Sequence, residues 1–357
     1  MKTANTLEQT AKENRIMKNT ITNHLHRSAV LLAAAIILTA TLSTTVPAHE
    51  IDQTSRVIWP DLLPIPLGFE AEGIELGKDQ DFFVGSMSFS GNLTNAGAIY
   101  KGNLVTGEGQ LLVPPTGKQV AGLSYDARTD YLYAATGHLG NLEEGVKVYA
   151  GSSGRLLGEI IFGDDMVIND VLVTDTAVYC TDSLSTTLYK IPLENDGKVF
   201  SSAVEKIEMT GFEIVPGEIN ANGLVGNYDG KELVVININT GVLYLVDTES
   251  GASSPVNIQG SATSFVNGDG LYMDGRTLYI CENFSNFPLG RIAVVELSDD
   301  LTQGTFIKYI ESDDFAIPTT IIGFGTCIYA INTHYLELTA EGADPTLVQS
   351  EVVKVFK

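Results

Sequence analysis

Six short segments of this chain open alike and recur at nearly constant intervals. They begin Glu72-Gly-Ile, Ala121-Gly-Leu, Asn169-Asp-Val, Asn222-Gly-Leu, Asp269-Gly-Leu and Thr319-Thr-Ile, at spacings of 49, 48, 53, 47 and 50 residues. A repeat this regular puts equivalent residues at equivalent points of a cyclic structure, which excludes most other ways of folding 357 residues. At the first position of the segments the chain carries two acids and two amides, in Glu72, Asn169, Asn222 and Asp269.

Each opening segment is followed by a second apolar run, whose second residues are Phe83, Tyr133, Tyr179, Val234, Tyr279 and Tyr329. Turn-forming pairs such as Asp229-Gly230 and Asp274-Gly275 lie between the two runs and favour tight hairpins. A third run follows, as in Ala98-Ile-Tyr-Lys, Val146-Lys-Val-Tyr and Glu351-Val-Val-Lys-Val. The runs are dense in β-branched and aromatic residues and lack the i, i+3, i+4, i+7 pattern of helical repeats. The pattern predicts an all-β, six-bladed β-propeller, with blades near 69–115, 119–162, 166–209, 218–258, 266–311 and 317–357. A closed ring cannot be divided without losing blades, so residues 49–357 read as one domain. The last blade is one strand short, and Ser55-Arg-Val-Ile-Trp59 is expected to supply that strand and close the ring.

Residues 1–48 read as a leader outside the fold. Ala29–Leu42 is an apolar run of 14 residues, short of the roughly 20 that span a bilayer. Lys18 and Arg27 precede it and Val46-Pro-Ala48 follows, the pattern of a secretory signal peptide, for which Met17 offers a more ordinary start. The expected location is therefore outside the cell, or the periplasm of a bacterium, with no stable membrane association after cleavage. Removing the leader's two acids and five bases from 44 acidic and 21 basic residues leaves 42 against 16, a net charge of −26. Such a surface excludes nucleic acid and anionic membranes as partners, and a monomer acting on a small molecule is expected. Cys180, Cys281 and Cys327 all fall in second runs, an odd number without framework spacing, and read as buried thiols, with one pair from adjacent blades as the alternative. Asn92-Leu-Thr94 and Asn283-Phe-Ser285 match the N-glycosylation triplet.

The innermost strand of a propeller blade lines the central channel, so Glu72, Asn169, Asn222 and Asp269 are expected to converge. Carboxylate and amide oxygens are the ligands of hard cations, which makes calcium or another divalent cation the expected occupant. Two carboxylates about 4 Å apart at an effective dielectric near 20 repel by roughly 4 kcal/mol. Without a cation one of them would hold a proton at neutral pH. The alternative is a hydrogen-bonded polar plug in the channel. His49, His138 and His334 have no zinc-ligand spacing. No Gly-x-Ser-x-Gly elbow, phosphate loop or dinucleotide fingerprint is present.

Glu72-Gly73, Asn169-Asp170, Asn222-Gly223-Leu224 with Asp229-Gly230, and Asp269-Gly270-Leu271 resemble the pattern of the senescence-marker-protein/gluconolactonase family. That family belongs to the six-bladed calcium-dependent hydrolases, with diisopropyl fluorophosphatase and, further off, the paraoxonases. The resemblance spans residues 69–335 and implies that Glu72, Asn169, Asn222 and Asp269 hold a catalytic ion, with Asp269 also acting as general base or nucleophile. It thereby implies a lactonase- or esterase-type hydrolase. Where gluconolactonases of the family carry an arginine two residues before the matching asparagine, this chain has Val167. An apolar residue there points to an ester or lactone less polar than an aldonolactone. His138 and His334 follow second runs and are weaker candidates for a general base, while Asp170 and Asp182 are candidates for orienting the ligands. The competing function is a non-enzymatic binding propeller with a structural calcium ion.

Overall fold

A single irregularity, repeated six times, organises the molecule. The computed structural model describes residues 59–357 except 138–143, 195 and 200–202. The leader, the segment 55–58, His49 and His138 therefore lie outside the described residues. In chain order the strands of blade 1 are β2 (Ala71–Leu76), β3 (Asp81–Ser86), β4 (Ile99–Asn103) and β5 (Gly109–Val113). Blade 2 holds β6 (Gln119–Asp126), β7 (Tyr131–Gly137), β8 (Glu144–Ala150) and β9 (Leu156–Gly163). Blade 3 holds β10 (Ile168–Val173), β11 (Ala177–Asp182), β12 (Thr187–Pro192) and β13 (Glu205–Glu208). Blade 4 holds β14 (Ala221–Gly226), β15 (Glu232–Asn237), β16 (Leu243–Asp247) and β17 (Ser253–Pro255). Blade 5 holds β19 (Gly268–Asp274), β20 (Thr277–Glu282), β21 (Arg291–Leu297) and β22 (Gln303–Ile310), with β18 (Asn257–Gln259) added in parallel to β22. Blade 6 holds β23 (Pro318–Phe324), β24 (Cys327–Asn332) and β25 (Glu351–Phe356).

The missing outer strand of blade 6 comes from the other end of the chain. It is β1 (Leu62–Pro64), which pairs antiparallel with β25 through Leu62 opposite Val353 and Pro64 opposite Glu351. The ring is closed by an N-terminal strand, but that strand lies downstream of the 55–59 segment in which it was expected, and Trp59 is not part of a strand. Among the described residues no helix is long and apolar enough to cross a membrane. The short helix α1 (Tyr335–Thr339) interrupts the connection from β24 to β25.

In every blade the innermost strand carries a bulge at the position of the repeated dipeptide. The pairing of β2 with β3 jumps from Ala71–Ser86 to Ile74–Val84, so Glu72 and Gly73 face the single residue Gly85. The same jump frames 121–122, 169–170, 222–223, 269–270 and 319–320. A bulge leaves two residues opposite one and re-aims their side chains. Neighbouring innermost strands touch all the way round, from β2 through β6, β10, β14, β19 and β23 back to β2.

Packing outside this ring follows from period-2 alternation in strands buried on both faces. In β11, Val178 and Cys180 enter the core shared with blade 2, while Tyr179 between them enters the core shared with blade 4. Six such apolar clusters fill the six interfaces between blades, so each interface buries its own core. The aromatic set Phe83, Tyr133, Tyr179, Tyr279 and Tyr329 is buried throughout. The thiols are unpaired, with Cys180 and Cys281 buried but Cys327, at the start of β24, only half-buried.

Candidate functional site

The first bulge position is where the sequence places its oxygen-bearing residues. Glu72, Asn222 and Asp269 are buried there, and Asn169 is half-buried. The two remaining blades offer Ala121 and Thr319. The second bulge position turns toward the next blade. A Cβ on Gly73 would stand 2.3 Å from the Ala121 carbonyl oxygen, and one on Gly223 would stand 2.4 Å from that of Asp269. Gly122 and Gly270 are equally tight against blades 3 and 6. Glycine at the second position of these four blades thus lets the inner strands approach closely.

Blade 6 carries Thr320 at this position, and blade 3 breaks the glycine rule with Asp170. Its carboxylate accepts from the Val171 N–H at 2.8 Å and, across the interface, from the Leu224 N–H of blade 4 at 3.2 Å. It fastens the two strands that carry Asn169 and Asn222. Hydroxyls serve the same purpose, at this interface and between blades 6 and 1. Thr181 donates to the Asn222 carbonyl at 2.9 Å, Thr319 to the Glu72 carbonyl at 2.7 Å and Thr333 to the Ala71 carbonyl at 2.9 Å.

Three carboxyl groups share this end of the channel, and all three stand above the usual carboxylate range. Burial is the main cause at each. It lifts Asp269 to about 7, with Asp170 adding to the rise and the side-chain amides of Asn283 and Asn222 opposing it. It lifts Asp170 to about 7, opposed by the two backbone N–H groups. Glu72 is pushed well above the usual carboxylate range by burial and by the charges of Asp269 and Asp170. Among the described residues no Lys, Arg or His counts among the groups that shift these three. Glu72 is 7% exposed, and its Oε2 is buried without a hydrogen-bond partner. Such an atom costs free energy unless it is protonated or meets a cation.

Asn283 is the residue that sequence reading missed. It follows β20, is buried, and donates Nδ2 to Asp269 Oδ2 at 2.7 Å. In the sequence it reads only as part of a glycosylation triplet close to the ring, whereas the structure directs its amide at the candidate centre. The signal that could have found it is its place directly after Glu282, the last residue of β20, paired with Gly268 at the head of the inner strand.

The hydrogen bonds of Asp182 reach none of the candidate ligands. It accepts from the Val167 and Leu184 N–H groups and from the Ser185 hydroxyl, shaping the loops of blade 3. His334 is also removed as a general base. Burial alone would lower its pKa, but bonds to Glu351 and Glu337, both at 2.9 Å, raise it to about 9. A histidine held as the cation between two carboxylates is a brace for α1 rather than a proton acceptor. Among the described residues no three His, Cys, Asp or Glu side chains converge as a metal cage. An ion here would rest on Glu72 and Asp269 with amide oxygens to complete the set.

No family profile and no curated protein matches the chain. Solved structures do. It is similar to a luciferin-regenerating enzyme, at 13% identity and a TM-score of 0.54, over 83% of this chain and 95% of that one. It is similar to a putative oxidoreductase (glucose dehydrogenase) from Thermus thermophilus, at 13% identity and a TM-score of 0.52, over 82% and 99%. A PQQ-bound aldose sugar dehydrogenase from Streptomyces coelicolor aligns at 12% identity and a TM-score of 0.50, over 83% and 99%. Identities this low establish the fold alone. The class defined is a six-bladed β-propeller whose channel mouth is lined by buried carboxyl and amide groups.

Proposed function

We propose that the chain is a secreted hydrolase of the lactonase or esterase type that depends on a divalent cation, calcium first, held by Glu72, Asn169, Asn222 and Asp269. The observation that carries this reading is the buried, unpartnered Oε2 of Glu72 beside the Asp269 carboxyl, with no basic side chain among the described residues to neutralise either. The donor set fits a hard cation in charge and in atom type. Such an ion, when bound, supplies Lewis-acid polarisation of a carbonyl or phosphoryl oxygen. The chain's own part falls to Asp269. The amides of Asn283 and Asn222 hold its carboxylate, so a proton taken from an attacking water would land on a fixed oxygen. The four matching dipeptides of the senescence-marker-protein/gluconolactonase resemblance support the same assignment. Val167, half-buried in the loop leading into blade 3, supports a substrate less polar than an aldonolactone.

Calcium titration by calorimetry on the mature chain, beside the Glu72→Gln/Asp269→Asn double variant, tests the ion. One-to-one binding that the variant loses is expected, and no binding in either protein would turn the four residues into a polar plug. Asp269→Asn is then expected to abolish hydrolysis of lactones and esters while leaving the fold intact. Full activity in that variant would remove Asp269 from the reaction, and calcium binding without any hydrolysis would leave a binding propeller with a structural ion.

A further inference from the structure

Three aromatic rings stand together on the loops at the bulge end of the ring. The inner strand begins at this end and the second strand ends there, as the pairing of Ala71 with Ser86 shows, so the connections after β3, β20 and β24 rise around the same mouth. They carry Phe89, Phe284 and Tyr335. Tyr335 meets Phe89 edge-on with ring centroids 5.7 Å apart, and Phe284 edge-on at 5.6 Å. The three residues belong to blades 1, 5 and 6, which also supply Glu72, Asp269 and Thr319.

Each ring is held by a neighbour tied to the site or to the ring closure. The buried Glu70 carboxylate accepts from the Ser90 N–H at 2.9 Å and from the Ser90 hydroxyl, and it takes the Phe89 N–H as well. The Phe284 N–H donates to Asn283 Oδ1 at 2.7 Å, while the other end of that amide binds Asp269. Tyr335 opens α1, between the His334 clamp and the buried Leu338, two residues after Thr333 reaches the Ala71 carbonyl. All three rings are half-buried, so they keep open surface while their backbones are fixed. Burial also lifts the Tyr335 phenol to about 12, which keeps it neutral. The wall is thus pre-organised, apolar and uncharged.

Resting on the hydrolase reading above, we propose that Phe89, Phe284 and Tyr335 form the seat for an aromatic group of a neutral ester or lactone substrate, with Tyr335 as its centre. An aryl ring completes the edge-to-face arrangement already present, which is worth more than its buried area alone.

The test uses phenyl acetate and ethyl acetate as substrates and acetanilide, an unreactive neutral aryl amide, as a binding probe followed by saturation-transfer NMR. Tyr335→Ala is expected to lose the acetanilide signal. Its KM for phenyl acetate should rise about tenfold, the order of effect for losing one apolar contact set, with kcat and the ethyl acetate kinetics little changed. Tyr335→Phe keeps the ring and should retain both properties, which separates loss of the seat from loss of the fold. Acetanilide binding unchanged in Tyr335→Ala, or absent from the unaltered protein, overturns the seat whatever the hydrolase does. Tyr335-dependent acetanilide binding without hydrolysis of either ester upholds the seat and overturns the hydrolase reading instead.

Discussion

Asp170 in blade 3 and Asp269 in blade 5 are the same residue type in the same bulge, one position apart. Asp269 occupies the first position and meets side-chain amides, from Asn283 and Asn222. Asp170 occupies the second and meets backbone N–H groups, from Val171 and Leu224. Burial lifts both to about 7, so pKa does not tell them apart. The partners do. A carboxylate at the first position addresses the channel, and one at the second position takes the place of a glycine and joins two blades. Catalytic candidacy therefore follows position in the bulge rather than perturbation of the group.

Removing each carboxylate should split the two roles. Asp170→Ala leaves two inner-strand N–H groups without their acceptor. Buried donors left unsatisfied cost about 1–3 kcal/mol each, so the loss in urea unfolding should be roughly 2–6 kcal/mol. Asp269→Asn should change stability by less than about 1 kcal/mol, since it exchanges a buried carboxyl of raised pKa for a neutral isostere. Equal losses from the two substitutions would erase the distinction. A smaller effect is expected where the glycine rule holds. In Gly223→Ala the new Cβ would come within 2.4 Å of the Asp269 carbonyl oxygen and 2.9 Å of the Leu271 nitrogen, both backbone atoms that cannot swing away. Overpacking of this kind costs about 1–3 kcal/mol. Gly158→Ala in β9, where a Cβ meets nothing within 4 Å, is the neutral control, and thermal melting of the pair reads the difference.

The architecture was legible because its signals are periodic. Six dipeptides, six second-strand aromatic or apolar positions and the shortfall in the last blade each report on the ring as a whole. The bulges were not recognised, although Gly73, Gly122, Gly223 and Gly270 are their trace, because period-2 reading assumes one residue opposite one. Asn283 was missed for a related reason. Its direction is set by β20 ending beside the head of β19, a pairing between residues 14 apart that no local pattern announces. The closing strand was misplaced because three residues, Leu62–Pro64, suffice where the partner strand already fixes the register. Their segment is poorer in β-branched residues than Ser55–Trp59.

Glu75 extends the comparison down the channel. It lies on β2 three residues past Glu72, at the register position that the other blades fill with Ser124, Leu172, Val225, Tyr272 and Ile322. Burial, and then the charge of Asp170, lift it to about 8, while the backbone N–H groups of Leu76 and Tyr125 oppose the rise. The folded state thus holds a proton that the unfolded chain releases near pH 4.5. Between those values the folded protein binds more protons than the unfolded one, so this group's contribution is complete below pH 4.5 and is lost as pH rises through 8. Glu75→Gln removes the titrating group and keeps its shape. The variant should match the unaltered protein at pH 4 and become the more stable of the two above pH 8, with most of the separation in Tm developing between those limits. An unchanged Tm difference across that window would mean that Glu75 is already ionised in the fold. The lower channel would then have to supply a neutralising group, which the described residues of the mouth do not.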